Sequence, residues 1–398
     1  MRGHSLRVVV SGGGTGGHIY PALAVADSLT RIRPEAELLY IGGSSGMETR
    51  VVPKYGVTFQ AITARKLRRV LSPSTLVVAW SLFKGYREAR TYLRAFRAEA
   101  VVGTGGYVAA AAVLAGTRLG LPTLIVAPDL IPGRTNRWLG RSAQRICVTF
   151  SGTVRLFRAD RTVITGVPLR SGVVAPDSIS RASARREFEG LSPDRFTVLV
   201  IGGSQGAQTL NRVVMEAAPA LIAAGVQILH QTGASNIAAV QERMADVVKL
   251  PGYRPVAFLD DGLISLARRA ADVIVCRGGI STLSENLVCH LPAIVVPLPT
   301  AYADHQTFNA RAIAAAGAAL HCPESTLSAA KLVQDITALR DDPARLALMR
   351  DAARTLARPD AADAVAREVL ELIDRRRARN EPGSSRTGSS RTGSSREI

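Results

Sequence analysis

Short, continuously apolar runs alternate with longer stretches in which apolar residues return every three or four positions. The runs at 7–10, 38–41, 100–102, 123–126 and 145–148, and again at 197–201, 226–230, 273–276 and 293–297, read as strands. Strands apolar on both sides, with helical segments between them, are the pattern of parallel sheets covered by helices. The pattern occurs twice. Gly12-Gly13-Gly14-Thr15-Gly16-Gly17-His18 follows the first strand, and Gly202-Gly203-Ser204-Gln205-Gly206-Ala207 follows the strand at 197–201. In each, glycine permits a tight strand-to-helix reversal, and the helix start presents unpaired N–H groups suited to phosphate. The chain is expected to be α/β, with two such units facing across a cleft.

The Gly and Pro of Thr165-Gly166-Val167-Pro168-Leu169-Arg170 mark the crossing between units, giving a first domain over 1–170 and a second over 171–358. Val365, Val369, Leu370, Leu372 and Ile373 predict a last helix at about 359–376 that packs back onto the first domain. From Arg379 the chain repeats Gly-Ser-Ser-Arg-Thr, and 379–398 is expected to be a disordered tail.

With 398 residues and 47% hydrophobic content, two ordinary cores are affordable. No apolar run reaches the roughly 20 residues that span a bilayer, and no signal segment precedes the first strand, so a cytoplasmic protein is expected. Cys147, Cys276, Cys289 and Cys322 lack C-x-x-C spacing and read as reduced thiols. The net charge is +18, with +8 gathered between Arg65 and Arg97 and +5 from Arg375 onward. No aromatic-interleaved basic motif or zinc finger accompanies this charge, so anionic lipid is the expected partner rather than nucleic acid.

Gly12, Gly14 and Gly17 formally match a dinucleotide fingerprint. The second strand, however, runs into Gly42-Gly43-Ser44 instead of the acid that would hold a ribose diol, which argues against a dehydrogenase. His18 at the helix start is placed to accept a proton or bond a substrate hydroxyl, or simply to pack. Thr282 and Glu285, three apart after Cys276-Arg277-Gly278-Gly279-Ile280-Ser281, share a helix face. The carboxylate suits a vicinal diol, although Ser281 and Glu285 also suit helix capping. His305 and Gln306, in Asp304-His305-Gln306-Thr307-Phe308-Asn309, offer donors for sugar hydroxyls. With no D-x-D motif or metal-ligand spacing, phosphate charge is expected to meet backbone dipoles and Arg170; neither metal nor cofactor is expected.

These turns, together with Gly103-Thr104-Gly105-Gly106-Tyr107, Thr282-Leu283-Ser284-Glu285 and Asp304 to Ala310, resemble the MurG family of peptidoglycan N-acetylglucosaminyltransferases over residues 6 to 375. The resemblance implies the GT-B fold, two Rossmann-like domains facing across a cleft. It also implies an inverting, metal-independent transfer of N-acetylglucosamine from UDP-N-acetylglucosamine to lipid I, forming lipid II. By position, Ser204, Gln205 and Gly206 would hold the donor diphosphate, Glu285 the ribose with Ser281, Thr282, Leu283 and Ser284 around it, and the backbone at Leu259 the uracil. Arg170, His305 and Gln306 would complete the donor side, with Thr15, Gly16 and Gly17 reaching it from the other wall. His18, Gly105, Gly106, Tyr107 and Asn136 would line the acceptor side.

Two departures stand out. The chain has Val126-Ala127-Pro128-Asp129 where the family has His-Glu-Gln-Asn, and Gly166-Val167-Pro168-Leu169-Arg170 where it has Gly-Asn-Pro-x-Arg. Acceptor-side groups are therefore lost, and a related N-acetylhexosamine transferase with another lipid or secondary-metabolite acceptor is the alternative. Asp129 falls where the family's asparagine contacts sugar; His18 is the first candidate base and Asp129 the second. A polyprenyl acceptor keeps the enzyme peripheral, at the cytoplasmic face of the membrane. Arg65, Lys66, Arg68, Arg69 and Lys84 frame Leu76, Val77, Trp80, Leu82 and Phe83 as the expected docking surface, the other reading being an ordinary core-facing helix.

Overall fold

A computed structural model describes residues 5–64, 74–175, 178–203, 206–248 and 251–380. The first sheet runs β3-β2-β1-β4-β5-β6-β7, with β1 (Arg7–Ser11), β2 (Glu37–Gly43), β3 (Thr58–Ile62), β4 (Ala100–Gly103), β5 (Thr123–Ala127), β6 (Arg145–Val148) and β7 (Thr162–Ile164). The second runs β10-β9-β8-β11-β12-β13, with β8 (Phe196–Ile201), β9 (Val226–Gln231), β10 (Tyr253–Val256), β11 (Val273–Cys276), β12 (Ala293–Val295) and β13 (Ala319–His321). Every pairing is parallel; Val8, for example, lies between Leu38 and Ala100. This is the doubly wound, two-domain α/β architecture that the alternating runs predict.

Continuous apolarity in the central strands follows from burial on both faces. In β1, Val8 and Val10 pack with the helix Gly16–Ile32, while Val9 faces the other way, toward the helices Ser74–Ala95 and Gly106–Arg118. Four strands were not legible as such runs: β3, β7, β10 and β13. They are the outer strands of the two sheets.

After the second domain the chain returns. Val365, Ala366, Val369, Leu372 and Ile373 of the helix Ala361–Asn380 join Val8 and Val10 in the core of the first domain, and Ser28 Oγ donates to Asp363 Oδ1 at 2.6 Å. The helix includes Arg379 and Asn380, two residues assigned to the tail from sequence; 381–398 lie outside the described residues. Among the described residues all four cysteines are free thiols, and no helix is long and apolar enough to cross a membrane.

Candidate active site

The C-terminal ends of β1 and β8 both turn at glycine, and the two turns look at each other across a cleft of about 830 Å³. On the first domain's side the cleft is lined by Thr15, Gly16 and Gly17, whose loop interlocks with the one after β4. His18 Nδ1 lies 3.0 Å from the Thr104 carbonyl, and Thr104 Oγ1 donates back to the His18 carbonyl at 2.5 Å. Gly105 is required beside the imidazole: its φ is +114°, and a Cβ there would lie 2.6 Å from His18 Nδ1. Because a carbonyl only accepts, Nδ1 carries the proton in the neutral ring and Nε2 is the acceptor nitrogen. Burial holds His18 below its ordinary value, against the opposing pull of the Asp129 carboxylate and the Thr104 carbonyl. The ring is therefore neutral at pH 7.

Glu48, which no sequence pattern singled out, plugs the first glycine turn. Fully buried, it accepts from Gly43 N at 3.0 Å and Gly14 N at 3.4 Å. Its carboxylate thus bridges the first glycine turn and the end of β2. Thr15, Gly16 and Gly17 still line the cleft, and the Tyr107 ring packs against Gly14.

The opposite wall belongs to the second domain. Gly206, with φ +77°, opens the helix Gln208–Ala223 so closely that a Cβ would collide with the Thr232 carbonyl. Ser204 and Gln205 lie outside the described residues. Buried Gln231 ties this turn to the next: its Nε2 donates to Gly203 O at 3.2 Å and its Oε1 accepts from Leu259 N at 3.2 Å. Ser281, Thr282 and Glu285 line the cleft on one face of the helix Ile280–Val288. Leu283 and Ser284 do not. Leu283 packs in the core, and Ser284 borders a second, smaller cavity behind the domain junction. Glu285 is ion-paired with Arg268, a residue that sequence reading missed.

Two polar clusters join the two domains. At one rim, Arg170 lies 3.9 Å above the Tyr20 ring, donates to Tyr55 Oη at 3.0 Å and pairs with Asp261. Burial works against the Arg170 charge, but Tyr55 and Asp261 outweigh it and hold the guanidinium above its ordinary value. In the second, Asp129 Oδ1 accepts from Asn309 Nδ2 at 2.9 Å, with His305 Nδ1 4.0 Å from Asp129 Oδ2. Thus His18, Asp129 and His305 are brought together. Gln306 lines the cleft, but its Oε1 is held by Gly278 N and Leu298 N. Asn136 does not reach the cleft: it is buried and donates to the Val126 carbonyl at 3.0 Å, bracing the end of β5. Gly106 packs on the Gly13 backbone.

On the helix Ser74–Ala95, Trp80 and Phe83 are 65% and 50% exposed and stand 6.0 Å apart, with Lys84 one residue beyond. Leu82 packs against the core instead. Arg65, Lys66, Arg68 and Arg69 lie outside the described residues, as do the side chains of Leu76 and Val77. Among the described residues, no group of three or more His, Cys, Asp or Glu side chains is placed to hold a metal ion.

Comparison with known proteins agrees with this architecture. Residues 8–148 match the glycosyltransferase family 28 N-terminal domain, and 197–365 match its C-terminal domain. A protein of Desulforudis audaxviator named UDP-N-acetylglucosamine–N-acetylmuramyl-(pentapeptide) pyrophosphoryl-undecaprenol N-acetylglucosamine transferase is 39% identical, covering 93% of this chain and 98% of its own. A protein of the same name from Desulforamulus reducens is 36% identical over 93% of this chain and all of its own. The crystal structure of Acinetobacter baumannii MurG superposes with a TM-score of 0.72 at 29% identity, covering 92% of this chain and 99% of that one. The kitacinnamycin glycosyltransferase, at 15% identity and a TM-score of 0.63, shares the fold. The chain belongs to glycosyltransferase family 28, among the MurG-type N-acetylglucosamine transferases.

Proposed function

We propose that the chain transfers N-acetylglucosamine from UDP-N-acetylglucosamine to the muramoyl 4-hydroxyl of lipid I, with inversion, forming lipid II. The observation that carries this reading is a cleft lined on one side by Thr15, Gly16 and Gly17, with His18 and its acceptor nitrogen Nε2 next along the chain, and on the other by the second glycine turn and Glu285. The 4-hydroxyl oxygen attacks the anomeric carbon from the face opposite UDP. As that bond forms, the carbon–phosphate-oxygen bond breaks, the hydroxyl proton passes to His18 Nε2, and charge develops on the β-phosphate. The N-terminus of the helix Gln208–Ala223 and Arg170 oppose that charge. Glu285 accepts from the ribose diol, and the backbone at Leu259 meets the uracil.

The acceptor's polyprenyl tail places the reaction at a membrane surface, and we assign the peripheral, cytoplasmic-face contact to exposed Trp80 and Phe83 in their basic frame. One observation favours the alternative acceptor. Val126 and Ala127 are both fully buried, so β5 sends no side chain into the cleft where the family carries His and Glu. Release of UDP, followed in EDTA with and without lipid I, separates the readings. Fast, lipid I-dependent release supports the proposal; release that needs added magnesium or ignores lipid I rejects it.

A further inference from the structure

Arg268 stands where the sequence pattern calls for an apolar residue. It lies on the buried face of the helix Asp261–Ala270 beside Ala267 and Ala270, with only 3% of its side chain exposed. Its guanidinium is fixed at two points: it pairs with Glu285 Oε2, and its Nε donates to Asn286 Oδ1 at 3.3 Å. Asn286 is in turn anchored, with Nδ2 3.5 Å from Cys276 Sγ at the end of β11. Both Arg268 and Glu285 border the cleft. A buried ion pair is a poor way to gain stability, since apolar residues of like volume often serve as well. A planar fork held from behind is, however, a good way to fix a carboxylate.

We propose that Arg268 is a positioning residue for the donor nucleotide: it grips one oxygen of Glu285, so that the other is presented, fixed in orientation, to a vicinal ribose diol. The inference rests on the donor-site reading given above. Without Arg268, Glu285 would keep its place in the helix but lose the support that aims it.

Calorimetric affinities for UDP and 2′-deoxy-UDP test this in the full chain. The wild type is expected to prefer UDP by about tenfold, the scale of one hydrogen bond to a charged group. Arg268→Met and Glu285→Gln should each bring that preference close to one, and the double variant should be no worse than either, because the two residues act as a unit. Arg268→Lys, which keeps the charge but not the fork, should retain part of it. A preference unchanged in Arg268→Met, even with a lowered melting temperature, reduces Arg268 to a packing role and overturns the proposal. If Arg268→Met does not fold, an unchanged preference in Arg268→Lys does the same. A preference unchanged in Glu285→Gln instead removes Glu285 from the ribose, and the donor-site assignment fails with it.

Discussion

Asn309 Nδ2 donates to Asp129 Oδ1 at 2.9 Å, joining the helix His305–Ala315 of one domain to the end of β5 in the other. The same amide also donates to Gly278 O at 3.2 Å and accepts from Leu130 N at 3.0 Å, so one fully buried side chain ties together the loops that follow two strands, β5 and β11.

This bridge separates two roles for Asp129. An asparagine at 129 keeps an oxygen for Asn309, so Asp129→Asn is expected to stay within about tenfold of native turnover, whereas losing a general base costs roughly 10²–10⁴. His18→Ala should show that larger loss. The Asp129 carboxylate raises the His18 pKa. Its removal should therefore move the acid limb of kcat/KM to lower pH. Steady-state pH profiles of the two variants decide it: a loss above a hundredfold in Asp129→Asn alone makes Asp129 the base.

Gly206→Ala is expected to abolish UDP binding, because its Cβ would collide with the Thr232 carbonyl and force the second turn open. Gly225 shares a positive φ of +80° but has open space around it. Gly225→Ala should cost only about 1–2 kcal/mol of stability and leave UDP affinity intact. Calorimetry on both variants distinguishes turn geometry from general strain.

What the sequence made legible follows burial. Central strands such as β1 and β8 are apolar on both faces and announce themselves; the four outer strands are not. β3 reads Thr58-Phe59-Gln60-Ala61-Ile62 and is half exposed, β7 has three residues, and β10 carries Arg254 and Pro255. In the site, the glycine turns and His18 were visible because local backbone geometry demands them. Glu48, Gln231, Arg268 and Asn309 were assigned no role, since each acts through a partner far along the chain: Asp129, for instance, is 180 residues from Asn309.

Buried His230, held between Tyr253 Oη at 2.9 Å and Asn211 Oδ1 at 3.1 Å, is pushed down by burial to about 3. The unfolded chain takes up a proton near pH 6.5 while the folded one does not, so stability falls as pH drops from about 6.5 toward 3. His230→Gln should flatten the denaturant-derived stability profile between pH 6 and 4 by up to about 1.4 kcal/mol per pH unit. Parallel profiles for the two proteins would refute this origin of acid sensitivity.

Trp80→Ala/Phe83→Ala is expected to weaken binding to anionic vesicles at low and high salt alike. Changing Arg65, Lys66, Arg68 and Arg69 to Gln should weaken it mainly at low salt, since each basic residue near the surface is worth about 1 kcal/mol that salt screens. Sedimentation with vesicles, alongside unaltered UDP affinity, checks both. Wild-type vesicle binding by both variants returns the helix to an ordinary surface.

The most direct test is the product itself. Purified protein incubated with UDP-N-acetylglucosamine and lipid I, and analysed by mass spectrometry of the lipid fraction, should yield lipid I carrying one added N-acetylhexosamine with matching UDP release. Unchanged lipid I while another hexosamine-accepting lipid is glycosylated, or UDP release with no glycosylated lipid at all, would show that the cleft serves a different acceptor.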